Sequence, residues 1–136
     1  MTERTAVAQA RTDLYEALKT VTPSAWRIHR CAPPLITAPV VFIDSPSIAT
    51  QQPGIVSVAF PVVMVVDGNV RAQLEQLDEL LSAVWSAASR VGVPTSSTPT
   101  ALDIGGPSLR AQVLNVEISM AAVTLCASSL VTAGSA

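Results

Sequence analysis

Apolar residues return at three- and four-residue steps near the start of the chain, at Val7, Ala10, Leu14, Leu18 and Val21. That spacing places all five on one face of a helix predicted from Thr2 to about Val21. Thr2 can cap it, Glu3 suits the positive end of the helix dipole, and Pro23 ends it. The period then changes. Trp26-Arg27-Ile28-His29 alternates as a short strand, with Trp26 and Ile28 on one side, and Cys31-Ala32-Pro33-Pro34 breaks it. Val40-Val41-Phe42-Ile43 is β-branched and aromatic, hence a second strand. Asp44 to Gly54, with Pro46, Pro53 and Gly54 among small polar residues, is expected to be a long loop.

Gly54 to Val66 carries the strongest strand pattern. Its even positions Val56, Val58, Phe60, Val62, Met64 and Val66 are all apolar, and its odd positions turn apolar at Val63 and Val65. One wet face would keep the alternation clean, so the second half of this strand is predicted to be buried on both sides. Pro61 has no N–H to give a ladder, which predicts an edge position or a bulge. Asp67-Gly68-Asn69 is turn chemistry, with Asp67 or Asn69 able to cap the next helix. That helix is predicted from Val70 to Val91 on the stripe Val70, Leu74, Leu77, Leu81, Val84, Ala88 and Val91, with Gly92 at C′. Pro94 to Pro99 reads as a loop. Ala101 to Ile104, Gly105-Gly106-Pro107 and the alternating run Leu114, Val116, Ile118, Met120 read as a hairpin.

The order is therefore α-β-β-β-α-β-β. It predicts an α+β fold, with a mostly antiparallel sheet of four or five strands and two main helices packed on one face. Residues 1–125 form a single domain in this reading. Residues 126–136, rich in Ala, Ser, Thr and Gly, form a tail or an inter-subunit arm.

Composition changes the picture in one respect. Apolar residues make up 49% of the 136 positions, but Asp, Glu, Lys and Arg only 13%. Soluble domains carry about 25% charged residues, and small ones need more polar cover than average. Part of the surface is therefore expected to be covered by protein. A membrane is not the expected cover: Ile118 to Ala136 is interrupted by Ser119, Thr124, Ser128, Ser129 and Thr132, whereas a span needs roughly 20 predominantly apolar residues. The N-terminus lacks the layout of a secretory signal, so an intracellular location is expected. The net charge of −2, with basic and acidic residues interspersed, gives no footprint for sequence-independent nucleic-acid binding. Cys31 and Cys126 show neither metal-ligand nor redox spacing and are expected to be free thiols.

No catalytic constellation emerges, and no cofactor or metal site is predicted. His29, the single histidine, lies two residues from Cys31, a weak Cys-His pair that favours a surface histidine over a nucleophilic site. Gly105-Gly106 lacks the phosphate-loop patterns, and Asp103 and Glu117 read as solvated charges. The residues singled out belong to protein contact instead. They are Ser45, Pro46, Ser47, Ile48, Thr50, Gln51 and Gln52 in the long loop, Val63 and Val65 on the second face of the long strand, and Trp85 on the long helix.

Several segments together carry a resemblance: Leu14-Tyr15-Glu16-Ala17-Leu18 closing the first helix, Ala38-Pro39-Val40-Val41-Phe42-Ile43, and the long strand into Asp67-Gly68-Asn69. The helix of Leu74, Leu77 and Leu81 and the hairpin Leu102-Asp103-Ile104-Gly105-Gly106-Pro107 complete it. In this layout, from the first helix to Ile118, the chain resembles the tail terminator (tail completion) proteins of long-tailed phages of actinobacteria. The resemblance implies a structural virion protein, not an enzyme. It implies a hexameric ring on the last tail-tube ring, which stops growth of the major tail protein, joins the head-completion proteins and lets DNA pass through its lumen. A head-closure or other neck protein shares these traits. From another class, a small-molecule binding domain or Cys/His hydrolase would require a pocket enclosing His29, Cys31 and a carboxylate.

Overall fold

The computed structural model describes residues 6–102 and 109–122. The elements are α1 (Ala6–Lys19), β1 (Arg27–His29), β2 (Val40–Ile43), β3 (Ser47–Gln52), β4 (Ile55–Asp67), α2 (Arg71–Ala88), β5 (Val93–Leu102) and β6 (Leu109–Ala121). They build an α+β fold around a six-stranded sheet of order β1-β2-β4-β6-β5, with β3 also paired to β4. Every pairing is antiparallel except β1 with β2. Two segments expected as loops are strands. Ser47–Gln52 is β3, joined to β4 through Pro53 and Gly54, whose φ of 83° is the left-handed conformation such a turn requires. The Pro94–Pro99 stretch lies inside β5, where Thr and Ser supply the β propensity.

Alternation along β4 sorts the two layers. Val58, Phe60, Val62, Met64 and Val66 face the helices, packing with Ala10, Leu14 and Leu18 of α1 and Leu80, Val84 and Ala88 of α2. Both helices thus cover one face, and the α1 stripe read from sequence is the stripe that is buried. On the helix-free face Val63 and Val65 join Val40, Phe42, Leu109 and Ala111, with Ile36 and Ala38 packed against them. Val62 to Val66 are buried throughout, as the two-sided pattern predicts.

Pro61 is not at an edge; β4 is flanked by β6 along its whole length. Its other flank is shared. β2 pairs with Val62 to Val65, and β3 pairs with Ile55 to Ala59. Asp44, Ser45 and Pro46 oppose only Phe60 and Pro61, so the partner strand bulges where β4 has no donor. The Asp44 N–H donates to the Pro61 carbonyl at 2.8 Å. In an antiparallel strand one residue's N–H and C=O point the same way. Odd residues of β4 therefore aim their backbone at β2 and β3, and even residues at β6. The Ala122 N–H donating to the Gly54 carbonyl fits the same phase.

The bulge is held from α1. Arg11 Nη1 donates to the carbonyls of Arg30 and Ile43, each at 2.7 Å, and Nη2 donates to that of Asp44 at 3.1 Å. Its guanidinium lies 5.3 Å from the Phe60 ring centroid. One planar fork thus ties the β1 exit, the end of β2 and the bulge to the helix.

The expected caps of α2 take other roles. Val70 is the N-cap, with no side-chain cap bond. Asp67 Oδ1 accepts the Asn69 N–H, while Gln73 Oε1 reaches back to accept the Asp67 N–H. Gly92 follows a C-cap at Ser89 in ordinary helical geometry and is not in the left-handed region. It is needed for closeness: a Cβ there would lie 2.6 Å from the Glu117 carbonyl oxygen and 2.8 Å from Ile118 Cγ1. Thr2 and Glu3, the turn at 103–107, and the tail with Cys126 lie outside the described residues.

Two stability predictions follow from these contacts. Arg11→Lys, which replaces the fork by a point charge, should lower unfolding free energy by about 1.5–3 kcal/mol. Gly92→Ala should lower it by about 1–3 kcal/mol through overpacking against β6. Urea denaturation followed by circular dichroism measures both, and an unchanged midpoint would remove the corresponding contact from the account.

Candidate functional site

α2 settles on the sheet through Leu80, Val84, Ala87 and Ala88. The predicted stripe is thereby turned toward its flank: Leu74, Leu77 and Leu81 are only partly buried, and Trp85 is 40% exposed. Below this flank runs the edge of the sheet. Pairing with β6 puts Ser97 and Pro99 on the helix-facing side, opposite Leu114 and Gln112. These side chains are too short to fill the space under α2. One cleft of about 540 Å³ opens between Leu74, Leu77 and Asp78 above and Pro99 and Gln112 below. A second, of about 350 Å³, is lined by Leu81, Ser82, Trp85 and Ser97. Gln112 Nε2 donates to Ser97 Oγ at 2.6 Å, which fixes the floor.

The other flank of the sheet is different. All six residues of β3 are exposed, including Ile48 at 52%. Ser47 and Ala49 pair with Ala59 and Ser57, both odd, so their backbone groups are engaged by β4. Ile48 and Thr50, paired with Val58 and Val56, carry their side chains on the helix side and aim their N–H and C=O outward. Gln51 reaches across β4 instead, its Oε1 accepting a bond from the Ser119 hydroxyl at 2.9 Å. Ser45 N–H donates to Asp44 Oδ1, and Pro46 sits in the bulge.

β5 is the opposite edge, and the same phase describes it. Even residues of β6 face β4, so their β5 partners Pro94, Ser97, Pro99 and Ala101 aim outward. The two prolines are five residues apart, which in an unbroken strand would put one ring nitrogen against the ladder. The register shift between Pro94 and Ser96 removes that conflict. Of these four outward positions only Ser97 and Ala101 have an N–H.

The predicted contact residues thus divide. Ser45, Pro46, Ser47, Ile48, Thr50, Gln51 and Gln52 gather along one edge, and Trp85 stands near the other. Val63 and Val65 are corrected: at 7% and 0% exposure they are covered within a single copy, by the segment carrying Ile36 and Ala38. Ser97 and Pro99 lie in the segment expected as a loop, for which the run Thr95-Ser96-Ser97-Thr98 is the strand signal; Gln112 lies on the returning strand β6 and gives no signal of its own.

Catalytic alternatives gain no geometry. β1 ends at His29, so exposed Cys31 does not continue that strand, and neither residue lines either cleft. Glu117 lies on the helix-free face of β6, and Asp103 is outside the described residues. Among the described residues no group of three or more His, Cys, Asp and Glu could hold a metal ion. No helix among them is long and apolar enough to cross a membrane. No family model matches the chain, and no curated protein matches it.

The arrangement can bind extended backbone at β3 and apolar side chains beneath α2. If Trp85 is a contact residue and not a core residue, Trp85→Ala should change unfolding free energy by less than about 1 kcal/mol. Leu80→Ala, one turn away in the core, should lower it by about 2–5 kcal/mol. Chemical denaturation of the two variants compares them directly, and equal losses would place Trp85 in the core.

Proposed function

We propose that the protein is a structural virion subunit of a long-tailed phage. Its copies form a ring that caps the tail tube, ends polymerisation of the major tail protein, and offers a joint to the head-completion proteins. DNA passes through the lumen. One observation carries this reading: uncharged, exposed apolar surface stands at two opposite edges of one sheet. Neither β3 nor β5 contains a charged residue, while α1 and α2 carry acidic and basic ones. A ring built from identical subunits uses two different patches per copy, and the β3 edge with Ile48 and the α2 flank with Trp85 supply two. The sparse charge of the chain, 13%, is consistent with a surface finished by neighbours. The phage setting and the copy number of six come from the resemblance in layout.

The test is assembly. Added to polymerising tail-tube protein of the same phage, the purified chain should arrest growth and appear as a cap on one tube end in electron micrographs. Trp85→Asp and Ile48→Asp should leave tubes growing. Binding to DNA-filled heads with no effect on tubes would move the protein to the neck side of the joint, and activity against neither would sink the virion reading.

A further inference from the structure

We infer that copies of this chain join by strand addition, with β3 of one copy pairing antiparallel to β5 of the next, so that the sheet runs on from subunit to subunit. The inference deepens the ring reading and rests on it for the choice of a second copy as the occupant.

Direction supports the pairing first. Along the succession β3, β4, β6, β5 each neighbour is antiparallel, so β3 and β5 of one copy run in opposite senses. A copy placed by rotation about an axis along the strands presents its β5 antiparallel to β3 without being turned over. Sidedness agrees. Ile48 and Thr50 point to the helix side and aim their backbone outward, and so do Ser97 and Pro99. Paired residues share a face, so the helices of both copies stay on the same side of the joined sheet.

The prolines and the clefts together then select the register. Pro94 and Pro99 give no N–H, so a two-bond exchange needs Ser97 or Ala101 opposite an outward residue of β3. Ser97 and Pro99 line the clefts, so seating Ile48 at a cleft favours the exchange at Ser97. Pairing Thr50 with the neighbour's Ser97 and Ile48 with the neighbour's Pro99 makes three bonds. Thr50 and Ser97 exchange two, and the Ile48 N–H donates to the Pro99 carbonyl. This register sets Ile48, 52% exposed in one copy, beside the floor of the neighbour's clefts, under Leu77 and Leu81 and next to Trp85. The six residues of β3 and the ten of β5 include no charge, so the two strands bring no like charges together. A long, uncharged outer strand is the kind of edge that another chain completes.

In this register Ala49 faces the neighbour's Thr98 as a closely spaced, non-hydrogen-bonded pair. Ala49→Cys and Thr98→Cys, in a full chain with Cys31 and Cys126 replaced by Ser, should therefore link under mild oxidation. Expected are a ladder of disulfide-linked multimers from the double variant, nothing from either single variant, and dimers alone when the two single variants are mixed. Adding Thr50→Pro, which removes an outward donor and leaves the β4 ladder intact, should lower the yield roughly two- to tenfold, the equilibrium loss expected for one hydrogen bond. Dimers from Ala49→Cys alone would replace this contact by a two-fold pairing of β3 with itself. Absence of linkage in a protein that still caps tubes would overturn the contact and spare the ring reading. Absence of both linkage and capping would overturn the two together.

Discussion

The missing amide hydrogen of Pro61 is the constraint around which the sheet is arranged. A proline in a central strand leaves one rung without a donor, and here the chain meets that rung with a bulge instead of a strand. β2 and β3 are in effect one long strand broken at Asp44–Pro46. The break both relieves β4 and releases β3 from β1, which pairs only with β2. The same carbonyl that receives Asp44 N–H fixes which backbone groups of every later strand point inward or outward. Arg11 is the complement to this break: the Ile43 carbonyl points to the side where β1 has already ended, the Asp44 carbonyl lies in the bulge, and a helix-borne guanidinium supplies donors to both in a fork of fixed shape.

The two long edges left by this arrangement are managed differently. β5 is blunted by prolines whose nitrogens face away from β6, and the irregularity near Thr95 keeps both in that harmless phase. β3 has no proline between Pro46 and Pro53; its register shifts between Thr50 and Gln52, and Ile48 and Thr50 aim their backbone outward. Such an asymmetry narrows the registers in which a neighbour could join, since of the outward β5 positions Pro94, Ser97, Pro99 and Ala101 only Ser97 and Ala101 offer a full exchange of bonds. The helices take the opposite part. Their charged faces, with pairs such as Arg71 and Glu75, keep the outer layer hydrated.

What the amino-acid pattern reveals follows from how each signal arises. The α1 stripe, the double-sided burial of Val62 to Val66 and the α+β class were all legible, because burial on a regular element imposes a period on the sequence. β3 and β5 were not. Ser-Ile-Ala-Thr-Gln-Gln and the Ser/Thr/Pro run of β5 lack apolar alternation, since an edge strand with little of its own to bury leaves none. Pro46, Pro53, Pro94 and Pro99 then read as loop markers, although each sits where no ladder donor is needed. The burial of Val63 and Val65 could not be told from interface burial, because both demand the same side chains. Of the candidate site, Ile48 and Trp85 were visible as apolar residues out of place. The clefts under α2 were not visible, since they arise from small side chains on a strand distant in sequence.

Cyclic growth and two-fold pairing differ in what they leave uncovered, and that difference bears on function. A two-fold contact through β3 would hide one edge of each copy and leave both β5 edges and both Trp85 clefts in water. Growth from β3 to β5 covers one of each per contact, and closure covers them all. A barrel-like closure needs strands that tilt and bend, and bulges are the usual means of bending them. The irregularities at Asp44–Pro46, between Thr50 and Gln52 and near Thr95 lie on the two flanks that such closure would use. An end cap has to stop at a fixed number of copies. In the proposed ring, curvature fixed by bulges in the joining strands would set that number more firmly than a flat hydrophobic contact.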